Sequence, residues 1–301
     1  MSAAPAHTGP GERRQSAFGG LVPGSAVARA DGALVAALAV ELHSGGAVLP
    51  LLVLSDAPGV VGWNADTGLT VTDDLGGAYT VDTIAQSAGL GALQSTVWME
   101  PSPPPDARRL DLGVSGLTRT TVGRRGGVEK PLVEGPVELS LDLLPERTAV
   151  DPPPEPSGEP PVTPSSRAPS RSQGAFEGLI PVGQARLDRD GAVCLWAVER
   201  YEERSVLTVA TITEDRINVD ELAPGAGRLD VWDDLGTRYS ALPVHGTARE
   251  TWMEAAVELT PAIPSDARSL GVRVADLPAR VVEDDRRPLT GPFTFGVALR
   301  R

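Results

Sequence analysis

Apolar residues along this chain come in short alternating runs rather than at helical spacing. Leu69-Thr70-Val71-Thr72 and Tyr79-Thr80-Val81 set apolar against polar side chains at every second position, which predicts half-buried strands. Similar runs predict strands over Ala26–Ala30, Ala33–Glu41, Ala47–Leu54, Ser95–Glu100, Leu110–Val114 and Val137–Leu143. A second series covers Gln184–Leu187, Ala192–Glu199, Val206–Ile212, Leu229–Trp232, Tyr239–Ala241, Ala255–Leu259, Leu270–Val274 and Phe293–Leu299. Asp31-Gly32 and Asp190-Gly191 stand between apolar runs as hairpin turns, because Gly accepts the positive φ that such turns demand. In Val193 to Val198 both strand faces are apolar, so a central strand covered on each side is expected. Pro50 interrupts the Ala47–Leu54 run, which points to a sheet edge or a bulge, since Pro cannot donate to a ladder. The segments carrying Trp63 and residues 218–227 have the weakest pattern.

The two series are one pattern repeated. Asp73-Asp74-Leu75-Gly76-Gly77-Ala78-Tyr79 recurs 160 positions later as Asp233-Asp234-Leu235-Gly236-Thr237-Arg238-Tyr239. In the same register, Pro101…Asp106-Ala107-Arg108-Arg109-Leu110 recurs as Pro261…Asp266-Ala267-Arg268-Ser269-Leu270. Two matches at one offset mark a duplication. The implied division is a disordered tail over 1–16, one β-sandwich domain over 17–145, a linker over 146–173 and a second β-sandwich domain over 174–301. The linker contains Asp151-Pro152-Pro153-Pro154-Glu155-Pro156 and almost no large apolar side chain, so burial cannot offset the entropy of ordering it. It reads as a semi-extended tether of up to roughly 90 Å, in which case the two domains need not touch.

Composition narrows the function. With 33 Gly and 28 Pro in 301 residues, long helices are disfavoured; aromatics, at 4%, leave the cores to Val, Leu and Ala. A net charge of −13 argues against nucleic-acid and anionic-membrane partners, which need clustered Lys and Arg. The single cysteine, Cys194, lies in an apolar run and reads as a small buried hydrophobe. Residues Met1 to Ser16 lack the apolar centre of a secretory signal, and the most apolar stretch, Ala33 to Leu54, is broken by Glu41, His43 and Pro50. A cytoplasmic location is the resulting expectation.

Candidate chemistry is sparse. The aspartate pairs Asp73/Asp74 and Asp233/Asp234 suit the first position of a turn, where a carboxylate accepts backbone N–H bonds. The same carboxylates are partial ligand sets for calcium, which takes several hard oxygens. Trp232 and Trp252, flanked by polar residues, could form a flat face for a sugar or a protein, or pack across strands. The histidines His7, His43 and His245 do not occupy equivalent positions in the two copies. Gly123-Arg124-Arg125-Gly126-Gly127 falls between strands and reads as a hairpin tip rather than a phosphate cradle. The acidic groups Glu199, Glu202, Glu203 and Glu283, Asp284, Asp285 read as strand ends or turns.

The Pro-containing corners followed by Leu110, Leu112, Val114 and by Leu270, Val272, Val274 resemble the crossing between sheets in immunoglobulin-like and fibronectin-like sandwiches. The duplicated pattern is also similar to bacterial proteins built from such modules. That resemblance implies an all-β fold of two tandem antiparallel β-sandwich (immunoglobulin-like) domains joined by a Pro-rich linker, and it implies no activity or cofactor. The function expected is a non-enzymatic protein-binding or spacer module, with calcium or carbohydrate binding as the alternative.

Overall fold

The computed structural model describes residues 18–30, 32–56, 59–88, 91–123, 126–143, 150–157, 176–188, 191–213, 217–219, 229–249, 252–275, 279–281 and 289–299. The expected tail and most of the expected linker fall outside these residues. The fold is all-β with two domains, one for each copy of the repeat.

The first copy forms β1 (Phe18–Ala30), β2 (Ala33–His43), β3 (Gly46–Ser55), β4 (Val60–Gly62), β5 (Leu69–Asp73), β6 (Ala78–Ala88), β7 (Ala92–Glu100), β8 (Arg109–Val114), β9 (Thr118–Gly123), β10 (Gly126–Pro131) and β11 (Val137–Asp142). Eight of these make one antiparallel sheet in the order β1-β2-β3-β7-β6-β5-β8-β11, and β10-β9-β4 make a small second sheet. A single helical turn, α1 (Ala65–Gly68), is started by Asn64, whose side chain accepts from the Asp66 backbone N–H at 3.1 Å. It lies in the weakly patterned stretch around Trp63.

The second copy repeats the plan. Its strands are β12 (Phe176–Asp188), β13 (Gly191–Tyr201), β14 (Ser205–Thr213), β15 (Ile217–Val219), β16 (Leu229–Asp233), β17 (Arg238–Arg249), β18 (Trp252–Thr260), β19 (Ser269–Val274), β20 (Ala279–Val281) and β21 (Phe293–Ala298). The large sheet runs β12-β13-β14-β18-β17-β16-β19-β21, matching the first strand for strand, while β15 pairs with β20.

Each large sheet curls because β6 and β17 serve two neighbours in succession. Val71 pairs with Tyr79 at the start of β6, and from Thr80 onward the strand pairs with β7 instead, with a bulge between Thr83 and Ala85. The strand therefore bends between two directions of pairing, and β5-β8-β11 fold over β2-β3-β7. Leu49, Leu51, Val53, Val97 and Met99 from one side meet Leu110, Leu112, Val114, Leu139 and Leu141 from the other. Each such side chain contributes about 1.5–3 kcal/mol on leaving water. In the second domain Leu195, Leu207, Val257, Val272 and Phe295 take the equivalent roles.

Pro50 resolves to the bulge rather than the edge. Strand β3 is interior, and its register with β2 jumps between Ala37 and Glu41, opposite the proline. That jump also explains why Leu38 and Ala39 face the same way although they are adjacent.

The outer faces of the paired strands β2-β3 and β13-β14 are as apolar as the inner ones. Leu34, Ala36, Leu38, Ala39, Leu52 and Leu54 of the first domain pack on Ala192, Cys194, Trp196, Ala197, Ala210 and Ile212 of the second. The central strand expected over Val193 to Val198 is thus covered on both sides, and its second cover is the other copy. The contact is close to two-fold: β1 lies along β12, β1 touches β13 and β2 touches β12. The expectation that the domains need not touch is corrected here. Both outer faces would otherwise expose a continuous apolar surface, which sheets avoid.

The described part of the linker is corrected as well. Residues 150–157 lie on the second domain: Pro153 is buried, and its carbonyl accepts from the Trp232 indole N–H at 2.8 Å. Composition registers how little the segment can bury within itself, but not that the neighbouring domain supplies a surface for it.

Candidate functional site

The two aspartate turns are built identically. Asp73 Oδ1 accepts from the backbone N–H of Leu75 at 2.9 Å and of Gly77 at 2.7 Å, and Oδ2 accepts from the Tyr79 hydroxyl at 2.5 Å. Asp233 does the same with Leu235 at 3.0 Å, Thr237 at 2.7 Å and the Tyr239 hydroxyl at 2.6 Å. Gly76 and Gly236 follow at φ 87° and 88°, the left-handed conformation that closes the turn. The tyrosine hydroxyl and the three turn amides hold the Asp73 carboxyl below its usual range, and burial with the Asp73 bond pushes the Tyr79 phenol up.

The second aspartate of each pair reaches across the sheet. Asp74 Oδ1 accepts from the backbone N–H groups of Arg108 at 2.9 Å and Arg109 at 3.2 Å. Asp234 Oδ1 accepts from Arg268 at 2.8 Å and Ser269 at 3.1 Å. These amides hold both carboxyls below the usual range, Arg108 and Arg268 foremost. The two motifs that repeat in one register are therefore two ends of one tie: the turn aspartate caps the start of the strand that follows the Pro-rich corner. As calcium ligands, Asp73, Asp74, Asp233 and Asp234 would compete with their own amides. Among the described residues no three His, Cys, Asp or Glu side chains are grouped to hold a metal ion.

Trp232 does not form an open face. It is 3% exposed, sits directly over Gly271 where a Cβ would run into the ring, and is covered by the linker. The Arg273 guanidinium stands 5.8 Å from the ring centre. Trp252 opens β18, paired with Ile212 and Arg249, and its side chain lies outside the described residues. His7, the side chain of His245, Arg124, Arg125 and the group Glu283, Asp284, Asp285 are also outside them. Gly123 and Gly126 pair across the β9–β10 hairpin, as a hairpin tip requires.

A buried polar seam between the domains went unforeseen. The Trp196 indole N–H donates to Glu41 Oε1 at 2.9 Å, and His43 Nε2 stands 3.8 Å from Glu41 Oε2. Glu254 Oε2 accepts from the Thr96 hydroxyl at 3.2 Å, and Gln94 donates to Oε1. Glu199 Oε2 accepts from the Tyr201 hydroxyl at 2.6 Å. Burial pushes the Glu254 carboxyl up to about 8, the charges of Glu41 and Glu199 adding to the effect against the bonds from Thr96 and Gln94. Burial raises Glu199 too, against its Tyr201 bond and the Arg204 charge, while Glu202 and Glu203 are exposed. Cys194, fully buried in the same seam, has its thiol pushed well up by burial and then by Glu41. Glu254, 4% exposed, takes its bonds from Thr96 and Gln94 of the first domain, so the acid bridges the two copies. The sequence signal is a Glu within each of three largely apolar strands, Glu41 in β2, Glu199 in β13 and Glu254 in β18.

No family model matches the chain, and the search of curated proteins gave no match. Among solved structures, the crystal structure of the conserved domain protein from Bacillus anthracis has a TM-score of 0.31 and 10% identity, over 91% of this chain and 89% of that one.

Proposed function

We propose that the chain is a non-enzymatic protein-binding or spacer module of two tandem immunoglobulin-like sandwiches, held as one rigid block. The observation that carries this reading is a leucine at the tip of each aspartate turn. Leu75 is 54% exposed and Leu235 51% exposed, each on a turn fixed by its own carboxylate. No hydrogen bond of the turn needs an apolar side chain there, yet both copies carry one. An apolar anchor on a rigid tip loses little entropy when a partner covers it. Two such tips on domains that share an apolar seam stand at a fixed separation, so a partner with two sites gains effective concentration without a flexible tether. The carboxylates committed to the turns and the acids sealed in the seam support a non-enzymatic role.

The test is quantitative capture from native lysate on immobilised full chain, comparing wild type with Leu75→Ser/Leu235→Ser. A partner retained by the wild type and lost by the double variant, whose circular dichroism is unchanged, supports the reading. Recovery that is equal for both chains ends it.

A further inference from the structure

The seat that holds residues 150–156 is built only in the second domain, and every part of it answers a feature of that segment. Prolines fix φ near −65° and hold each preceding residue extended, so Asp151-Pro152-Pro153-Pro154-Glu155-Pro156 is presented as a stiff ribbon with outward carbonyls. Trp232 supplies an indole N–H to the Pro153 carbonyl at 2.8 Å, and the buried Pro153 rests beside the ring. Arg273 donates twice to the Glu155 carboxylate, at 2.8 and 3.1 Å. Arg238 donates to Glu155 at 2.7 Å and to the Pro156 carbonyl at 2.9 Å. Asp230 braces Arg273 at 2.6 Å and lies 3.5 Å from Arg238, which fixes both guanidinium groups in place. Gly296 leaves the backbone of Val150 to Pro152 room to lie flat, since a Cβ there would meet it.

The first domain has none of this. The strand-for-strand register places Thr72 where the second has Trp232, Thr70 for Asp230, Ala78 for Arg238, Gly113 for Arg273 and Ser140 for Gly296. At these five stations the two copies carry different residues, so neither the indole N–H nor the guanidinium pair has a counterpart in the first domain.

We propose that this surface is a recognition site for acidic proline-rich peptide, occupied at rest by the chain's own residues 150–156. An aromatic N–H aimed at a proline carbonyl is the usual means of reading a polyproline ribbon, and the braced arginine pair adds a requirement for a carboxylate two positions later. The resident segment is covalently attached, so it excludes a competing segment of the same chemistry until it lifts away. This site is independent of the turn leucines.

The test uses the full chain and a labelled synthetic peptide covering residues 149–158. In a variant with Pro152, Pro153 and Pro154 replaced by Gly and Glu155 by Ser, the seat is open and the peptide binds saturably. The intact chain, shielded by its resident segment, binds at least about tenfold more weakly. Adding Trp232→Thr to the open variant abolishes binding, and so does replacing the peptide's glutamate with alanine. Glu155→Ala alone, which removes only the ion pairs, keeps the test available should the larger replacement fail to fold. A folded open variant that ignores the peptide, or equal binding to open and intact chains, overturns the proposal.

Discussion

Glu254 makes the stability of this protein depend on pH in a direction opposite to that of most carboxylates. Its side chain is 4% exposed in the seam, where burial and the charges of Glu41 and Glu199 lift the carboxyl from 4.5 to about 8. The folded protein therefore holds a proton that the unfolded chain releases near pH 4.5. Stability from this group is complete below 4.5 and declines as pH rises, until the folded form itself ionises at about 8. At about 1.4 kcal/mol per pH unit the interval sets a ceiling of about 5 kcal/mol, which water entry and relaxation reduce to a few. Glu254→Gln isolates the effect, because an amide has the shape of the protonated acid: its oxygen accepts from Gln94 and its nitrogen donates to the Thr96 hydroxyl oxygen. Urea unfolding of the full chain, followed by tryptophan fluorescence at pH 5, 7 and 9, is the assay. Wild type and variant have similar midpoints at pH 5, and the variant is the more stable by roughly 2–4 kcal/mol at pH 9. Parallel behaviour of the two chains from pH 5 to 9 would refute the placement of a neutral acid in the seam.

Two further substitutions test separate layers of the fold. Trp196→Phe removes the indole N–H from the buried Glu41 carboxylate and leaves a void in the seam; a loss of about 2–4 kcal/mol is expected in the same unfolding assay. Tyr239→Phe takes the hydroxyl from Asp233, a bond to a charged acceptor worth about 1.5–3 kcal/mol, and lowers the melting temperature more than Tyr79→Phe does, because Tyr239 is the more deeply buried.

Legibility in the sequence followed the range of the interaction. The aspartate turns were readable because every bond of Asp73 and Asp233 closes within six residues, and residue type alone implies the donors. The tie from Asp74 to Arg108, across 34 residues, is invisible in either copy alone. It is signalled only by two motifs that survive duplication at one offset. The doubly apolar run over Val193 to Val198 gave away a strand covered twice, but hydrophobicity names no partner, so the other domain was not foreseen as the cover. The seat for Glu155 combines residues from three strands with a segment that has no core of its own. Composition reads such a segment as a free tether unless its binding surface is already known. For Trp232 the packed alternative is the one the structure shows, but its polar sequence neighbours describe its strand and not the linker that covers it.

The seam carries a record of how a duplicated chain adapts to near two-fold contact. In the matching registers, Gln94 of β7 pairs with Leu52 of β3 and Glu254 of β18 pairs with Ala210 of β14, the same station in each copy. These two equivalent residues meet each other across the seam. In a symmetric pair of identical copies the station would oppose like with like, and two carboxyls held together cannot both ionise. Having Gln on one side supplies a donor to the acid on the other, an asymmetry open to two copies in one chain and closed to a symmetric dimer of identical chains. Gln94→Glu creates an acid pair and costs about 1–3 kcal/mol at pH 7. Adding Glu254→Gln transposes the donor and the acceptor and recovers most of that loss, with a coupling energy above about 0.5 kcal/mol in the double-mutant cycle. Losses that simply add would mean that the two side chains do not read each other, and the contact across the seam would carry no record of the duplication.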